Sequence, residues 1–428
     1  MSEAGRRNLI VLGICVAWTL TSAAPLFKYL SPAKAIAALA LGLLFIVVGM
    51  SCLIRLNMRP RQIGIGWFLL LFLALTTAFA ILYPISLRHD LNTGSDREDA
   101  LRIELLAFRN HQYPYDARTF LGNPPTPLPG AMLLAAPFFA LGHIAWQNFL
   151  WLALFFLFAV RFFRYRATAL FYLALFLLLA PAHLSDFTSG GDYLINFFYI
   201  AIASTLFYRS LGHSLYASVP AALFLGVALS SRILYAVILI PLLALTLQLT
   251  SRLRACVLFF LVLLSACAVT LPVLSPHPVA RLLLQFHQNA IKLRYIPSAI
   301  HPQWTLPLLA ILVACTAFFV RMDIPRLFLI FSAANFVMLA PFVATFALHS
   351  YQLRYAFFYL SVSTLSFSLW ALSRYELNHG TYFDSTNGRL PHHLRWQNPP
   401  RPLLLFQKHR RLYPRDHHHR RRRSRCLA

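Results

Sequence analysis

The stretch GWFLLLFLALTTAFAILYPISL, residues 66–87, holds 22 residues without a single charge. A soluble helix of that length would need a polar face. A hydrocarbon core some 30 Å thick needs about 20 apolar residues in a row, and lipid leaves no water to pair with open backbone groups, so such a run has to be helical. Strand-like alternation is missing from it.

The rest of the chain repeats this pattern. Its 428 residues are 59% hydrophobic, with 38 Lys+Arg against 13 Asp+Glu, a profile that excludes an ordinary soluble enzyme. Twelve apolar runs, from residues 9–27 to 356–372, read as spans. The basic start MSEAGRRNLIVLGICVAWTL reads as a retained first span, not a cleaved signal, because no small-residue cleavage site ends it. The expected fold is therefore an all-α polytopic membrane protein of about twelve transmembrane helices, with residues 1–373 as its membrane domain. The run PGAMLLAAPFFALG (129–142) is too short to cross and reads as interfacial or re-entrant. The six cysteines are scattered singly, which gives no disulfide framework and no zinc site.

Charge sets the orientation. If 129–142 does not cross, the basic clusters at residues 6, 55, 161, 209, 251 and 321 and the tail all fall on one side, which is then cytoplasmic. Residues 374–428, ending LYPRDHHHRRRRSRCLA, carry too little apolar content to fold alone. They read as a disordered cytoplasmic tail held near anionic headgroups; nucleic acid is the weaker reading for such a run on a membrane protein. Two large loops, 88–128 and 275–304, are then exported. Chemistry should concentrate in them.

The first exported loop opens with GSDREDALRIELLAFRNHQYPY (94–115), three acids within four residues of a chain that otherwise avoids them. Ser95 and Glu98 fit a capping box, S-x-x-E, at the start of a helix. Asp96 at the first helical position gains about 0.3–1 kcal/mol from the helix dipole. Asp99 can pair with Arg102 three residues on. Asp96 and Asp99 share one face, and Leu101, Leu105 and Phe108 line another, which would lie on the membrane surface. Five prolines in YPYDARTFLGNPPTPLPGA then make a rigid loop.

Arg232, in LGVALSSRILYAVILIP, is an isolated cation between apolar runs. It is either a snorkelling anchor or an anion ligand, and in either case it needs a partner. Lys292, Arg294 and Arg354 reach the same side. Acids in one place and cations in another suit a phosphate-bearing substrate.

In four stretches the chain resembles the GT-C superfamily of integral membrane glycosyltransferases, which use polyprenyl-phosphate sugars as donors. They are the acidic SDREDAL; the following PYDARTFLGNPPTPLPGAMLLAAPFFALG, similar to the run after that helix in bacterial mannosyltransferase-like members; GVALSSR, a small-residue helix ending in a lone cation; and the late Arg354–Tyr355 pair. Together they cover about a third of the chain. The resemblance implies that Asp96 or Asp99 is the catalytic base and that Arg232 holds the donor phosphate. Arg354 stands with it on the donor side, and Glu98, Tyr115, Lys292 and Tyr355 are supporting residues. Two departures are visible: the acids read D-R-E-D where an adjacent Asp-Glu pair is common, and the cation is Arg where Lys is frequent.

The expected reaction moves a sugar to a hydroxyl of a glycan, lipid or protein at the exported face of the inner or plasma membrane. The carboxylate takes the hydroxyl proton while cations stabilise the departing phosphate. A divalent metal near the acids, with Asp186 and Asp192 as further ligands, is a second expectation. A flippase or transporter of lipid-linked sugar, and an oligosaccharide polymerase or ligase, are the rival readings.

Overall fold

The computed structural model describes residues 3–57, 63–88, 95–281, 293–350 and 356–387. Lys292, Arg354, Tyr355 and the tail beyond residue 387 lie outside them.

The described residues contain helices and no strands. Three long helices come first: α1 (Glu3–Tyr29), α2 (Pro32–Asn57) and α3 (Ile65–Ser86). Two short ones follow, α4 (Arg97–Arg109) and α5 (Pro129–Ala140), and then α6 (Gln147–Phe162). The pair α7 (Arg166–Leu173) and α8 (Pro181–Thr188) is linked by a π-helical turn, Ala174–Leu178, and the whole bends by 72°. Pro181 sits at the first position of α8, where its missing N–H costs least. The remaining helices are α9 (Tyr193–Ser210), α10 (Leu215–Leu229), α11 (Leu239–Leu249), α12 (Arg252–Leu274), α13 (Pro302–Cys315), α14 (Ile324–Ser350) and α15 (Ser361–Asn387).

Each of the twelve apolar runs carries helix, but among the described residues seven helices are long and apolar enough to cross a membrane, or eight if the bent pair counts as one span. The expected figure of twelve is thus not matched by length and composition. The shortfall has a physical reason. Helices α10 and α11 are short, α9 spends apolar positions on the buried polar groups Asn196, Ser204 and Thr205, and α15 does the same with Ser363, Thr364, Ser366 and Ser368.

Helix α9 is the centre of the bundle, buried around most of its circumference. Phe155 of α6 stacks on its Phe198 at 4.0 Å between ring centroids. By contrast, α2 and α3 leave Leu41, Leu44, Leu69 and Leu73 more than half exposed, as a lipid-facing surface requires. A Cβ on Gly226 of α10 would collide with the Val262 carbonyl of α12. That small residue sets the closest approach of the two helices.

Charge divides the bundle into two ends. At one end Arg209 donates to the Arg161 carbonyl (2.9 Å), Arg254 to the His213 carbonyl (2.6 Å) and Arg374 to Asp323 (3.0 Å). Glu376 there accepts the amides of Arg164 and Tyr165, both at 3.0 Å. At the other end stand the acids of α4, together with Asp186 and Asp192. Helix α9 joins the two, starting after Asp192 and ending with Arg209 in its last turn.

Candidate functional site

A cavity of about 490 Å³ opens at the acid-bearing end. It is built from the end of α1, the start of α4, the loop that follows, α8, the start of α9, the α10–α11 turn and α14.

Asp96 lines this cavity. It is itself the N-cap of α4 and makes no side-chain cap bond, so the expected capping box with Ser95 does not form. The Asp96 carboxylate turns outward instead. Its Oδ2 accepts from Thr119 Oγ1 at 2.7 Å and from Asn123 Nδ2 at 2.8 Å. Those partners come from a tight turn, in which Gly122 donates to the Thr119 carbonyl at 2.7 Å with φ +77°, a value that favours glycine. The proline-rich loop thus folds back to hold the acid.

Glu98 is also accounted for differently. Its Oε1 accepts from Tyr83 Oη at 2.9 Å, fastening α4 to α3. Burial pushes its carboxyl above the usual range, against the pull of the Tyr83 hydroxyl and Arg102. The neighbouring Gly190, with φ +70°, leaves no room for a Cβ against that carboxylate.

Asp99 does not reach the cavity. Its Oδ2 accepts the Phe120 amide at 2.9 Å and its Oδ1 pairs with Arg102 at 3.3 Å. Asp96 and Asp99 therefore grip the same turn, one from the cavity side and one from beneath.

Leu101 and Leu105 are buried against Ala131, Met132 and Ala135 of α5, which corrects the expectation that they rest on the membrane surface. Phe108 is the exposed member of the three.

Arg232 lies across the same cavity from Asp96. One of its terminal nitrogens donates to both oxygens of Asp192, at 2.7 and 2.8 Å, and the other to Thr126 Oγ1 at 3.1 Å. Its guanidinium also stands 5.1 Å from the Tyr193 ring centroid. The partner that an isolated buried cation requires is thus an aspartate at the start of α9. The proline-rich loop is stitched to the same place, Leu128 donating to the Ser231 carbonyl at 2.8 Å and Gly130 to the Ser230 carbonyl at 3.1 Å. That loop therefore links Asp96 to Arg232.

Three cations join the lining: Lys28, Arg97 and Arg294. Arg97 pairs with buried Asp186 and lies 3.6 Å from the Phe358 ring centroid. Asp186 in turn accepts the Leu194 amide at 2.7 Å. Lys28 escaped sequence reasoning because nothing in its immediate surroundings marks it, and Arg97 because the acids on either side of it dominate that stretch. Phe342, Phe346 and Phe358 supply an apolar wall.

Tyr115 is buried, and its hydroxyl has no hydrogen-bond partner among the described residues. Glu104 is fully buried with both carboxylate oxygens in the same condition. It was legible in principle: Glu104 falls between Ala100, Leu101 and Phe108 on the apolar side of α4, where an acid is out of place.

No three His, Cys, Asp or Glu side chains among the described residues come together to hold a metal ion. Asp186 and Asp192, proposed as ligands, each face an arginine instead. The five described cysteines are free.

The fold and site define a helical membrane protein with a cavity at one end, walled by arginine–aspartate pairs on one side and by aromatic rings on the other. No protein-family model, curated protein or solved structure matches the chain.

Proposed function

We propose that the protein is a glycosyltransferase that moves a sugar from a polyprenyl-phosphate donor to an acceptor hydroxyl in this cavity. The observation that carries the reading is that Asp96 and Arg232, 136 residues apart, line one cavity together with Lys28, Arg97 and Arg294. Among the charged lining side chains four are cations and two, Asp96 and Asp192, are acids. Such a field favours a phosphate, and the aromatic wall offers an apolar surface to an isoprenoid chain.

In the reaction the acceptor oxygen bonds to the anomeric carbon as the bond from that carbon to the phosphate oxygen breaks. Asp96 takes the hydroxyl proton. The departing phosphate gains negative charge and stays near the cations, which is where preorganised charge lowers the barrier. Asp96 is preferred to Asp99 as the base because it lines the cavity, whereas Asp99 is spent on the Phe120 amide and Arg102.

Twelve passes with both ends cytoplasmic remain our reading of the topology, with the cavity at the exported face of the inner or plasma membrane. Its support is the group of arginines, Arg161, Arg209, Arg254 and Arg374, at the end of the bundle away from the cavity, in the sense that positive-inside demands.

The test uses purified protein in detergent with a labelled polyprenyl-phosphate monosaccharide and glycan, lipid or protein acceptors. Wild type should transfer label, and Asp96→Asn should lower turnover by about 10²–10⁴-fold, the usual worth of a general base. Equal turnover in the two removes Asp96 from the role. An oligosaccharide-bearing donor tests the polymerase or ligase reading. The 72° bend between α7 and α8 beside the cavity favours one alternative, transport of the lipid-linked sugar, since broken helices line transporter sites. Movement in sealed vesicles without transfer in detergent decides for it.

A further inference from the structure

The fully buried carboxyl of Glu104 has no place in the transfer reaction, yet it sits on the helix that presents Asp96, on the face it shares with Leu101 and Leu105, which packs on α5, and the start of α5 is bonded to Ser230 and Ser231 next to Arg232. Its two oxygens have no partner among the described residues, and neither do Nε of Arg232 and the hydroxyl of Tyr115. A buried polar group left open in this way calls for a physical reason.

Charge balance supplies one. Arg232 and Asp192 form a closed pair of one cation and one anion, buried at 12% and 3% side-chain exposure. A second ionised carboxylate beside them would be an unpaired charge in a buried site, which the surroundings do not support. The groups that could balance it are few. Helix α5 and the turn Ile144–Trp146, which pack on α4, carry no titratable side chain. The turn Pro114–Asp116 carries Tyr115 and an Asp116 that pairs with Arg281 at 2.9 Å on the surface. On α4 itself Glu98 is engaged with Tyr83, Asp99 with Phe120 and Arg102, and Arg97 with Asp186, while the Arg109 guanidinium stands 5.6 Å from the Phe139 ring centroid.

We propose that Glu104 is a reserve counter-ion for Arg232, a neutral carboxylic acid while Asp192 holds the guanidinium and an ionised one when Asp192 lets it go. The proton it gives up passes to the Asp192 carboxylate as that group lets go, so the cluster keeps one cation and one anion in both states. Arg232 has the unused Nε donor to make the exchange. The electrostatics run the same way: burial raises the Glu104 carboxyl well above its usual range, the Asp192 charge raises it further, and Arg232 lowers it. Removing the Asp192 charge leaves only the lowering partner of the two. Glu104 is thus a positioning residue, which keeps Arg232 neutralised and in place whenever Asp192 turns away from it.

Infrared spectroscopy of the whole protein in detergent tests this, because a neutral carboxyl has a carbonyl band that a carboxylate lacks. At neutral pH wild type should show a neutral-carboxyl band that Glu104→Gln lacks. Asp192→Asn should lose that same band, because Glu104 then ionises against Arg232. The double variant, which leaves Arg232 with neither acid, should unfold at a lower temperature than the two single effects add up to. Identical spectra for wild type and Glu104→Gln overturn the proposal. So does survival of the band in Asp192→Asn, a comparison that stands even where Glu104→Gln folds poorly. The inference concerns the cavity of the proposed transferase, but no readout requires sugar transfer, so the failure of one reading is distinct from the failure of the other.

Discussion

Arg232 and Asp192 show how the protein keeps charge inside a bundle of apolar helices. Each is the other's main partner, and removing Arg232 leaves Asp192 buried without its cation. Arg232→Ala should therefore destabilise the fold by about 3–5 kcal/mol, read from thermal unfolding in detergent, and the paired change Arg232→Met with Asp192→Leu should recover part of the loss. Asp99 makes the complementary case. Asp99→Ala strands the Phe120 amide and should cost about 1–3 kcal/mol while leaving turnover per folded molecule within a few-fold of wild type. A loss of turnover as large as that of Asp96→Asn would refute this division of labour. Glu104 adds a pH dependence. Its carboxyl is held above the usual range in the folded state, so its neutral form is the one the fold favours. Its contribution is complete below the unfolded value near 4.3 and declines as pH rises from there toward the folded value. Unfolding temperature measured against pH should show that decline in wild type and a flatter profile in Glu104→Gln.

At the scale of elements, α4 shows what the sequence could and could not reveal. The spacing of Leu101 and Leu105 established that one face is buried. Amphipathicity does not name the surface that covers a face, and a short helix beside a membrane has two candidates, lipid and protein. The structure answers with α5, whose Ala131, Met132 and Ala135 receive both leucines. Leu105→Ala should accordingly cost about 2–5 kcal/mol, measured by unfolding in detergent, whereas a residue dipped in lipid would lose far less when detergent replaces the bilayer. The site was legible to a similar degree. Asp96 and Arg232 were visible because each breaks a local rule, an acid cluster in a basic chain and a lone cation between apolar runs. Their partners were not visible as partners. Asp192 stood out only as a possible metal ligand, not as the counter-ion of Arg232, while Thr119 and Asn123 obey their local rules as turn residues, and only the return of the proline-rich loop onto both α4 and the α10–α11 turn brings them to the site.

For the whole molecule, the governing feature is the placement of charge at opposite ends. Each long helix was legible as an apolar run, whereas the broken course of α7 and α8 was not, because its π turn and Pro181 leave the apolar composition intact. A run of apolar residues reports burial or lipid contact but not direction, so orientation rests on the arginines. The basic end, with Arg161, Arg209, Arg254 and Arg374, should face the cytoplasm, and α4 with its cavity should face away. Two exposed positions separate the alternatives: Gln112, just beyond α4, and His213, between α9 and α10. In a background with the native cysteines replaced, Gln112→Cys should react with a membrane-impermeant maleimide added to intact cells or right-side-out vesicles. His213→Cys should react only after the membrane is opened. The reverse pattern would turn the bundle over and place the cavity in the cytoplasm. Labelling of both from the same side would mean an odd number of crossings, net, between α4 and the α9–α10 turn is wrong. In either event the proposed transfer of sugar at the exported face would fail together with the topology.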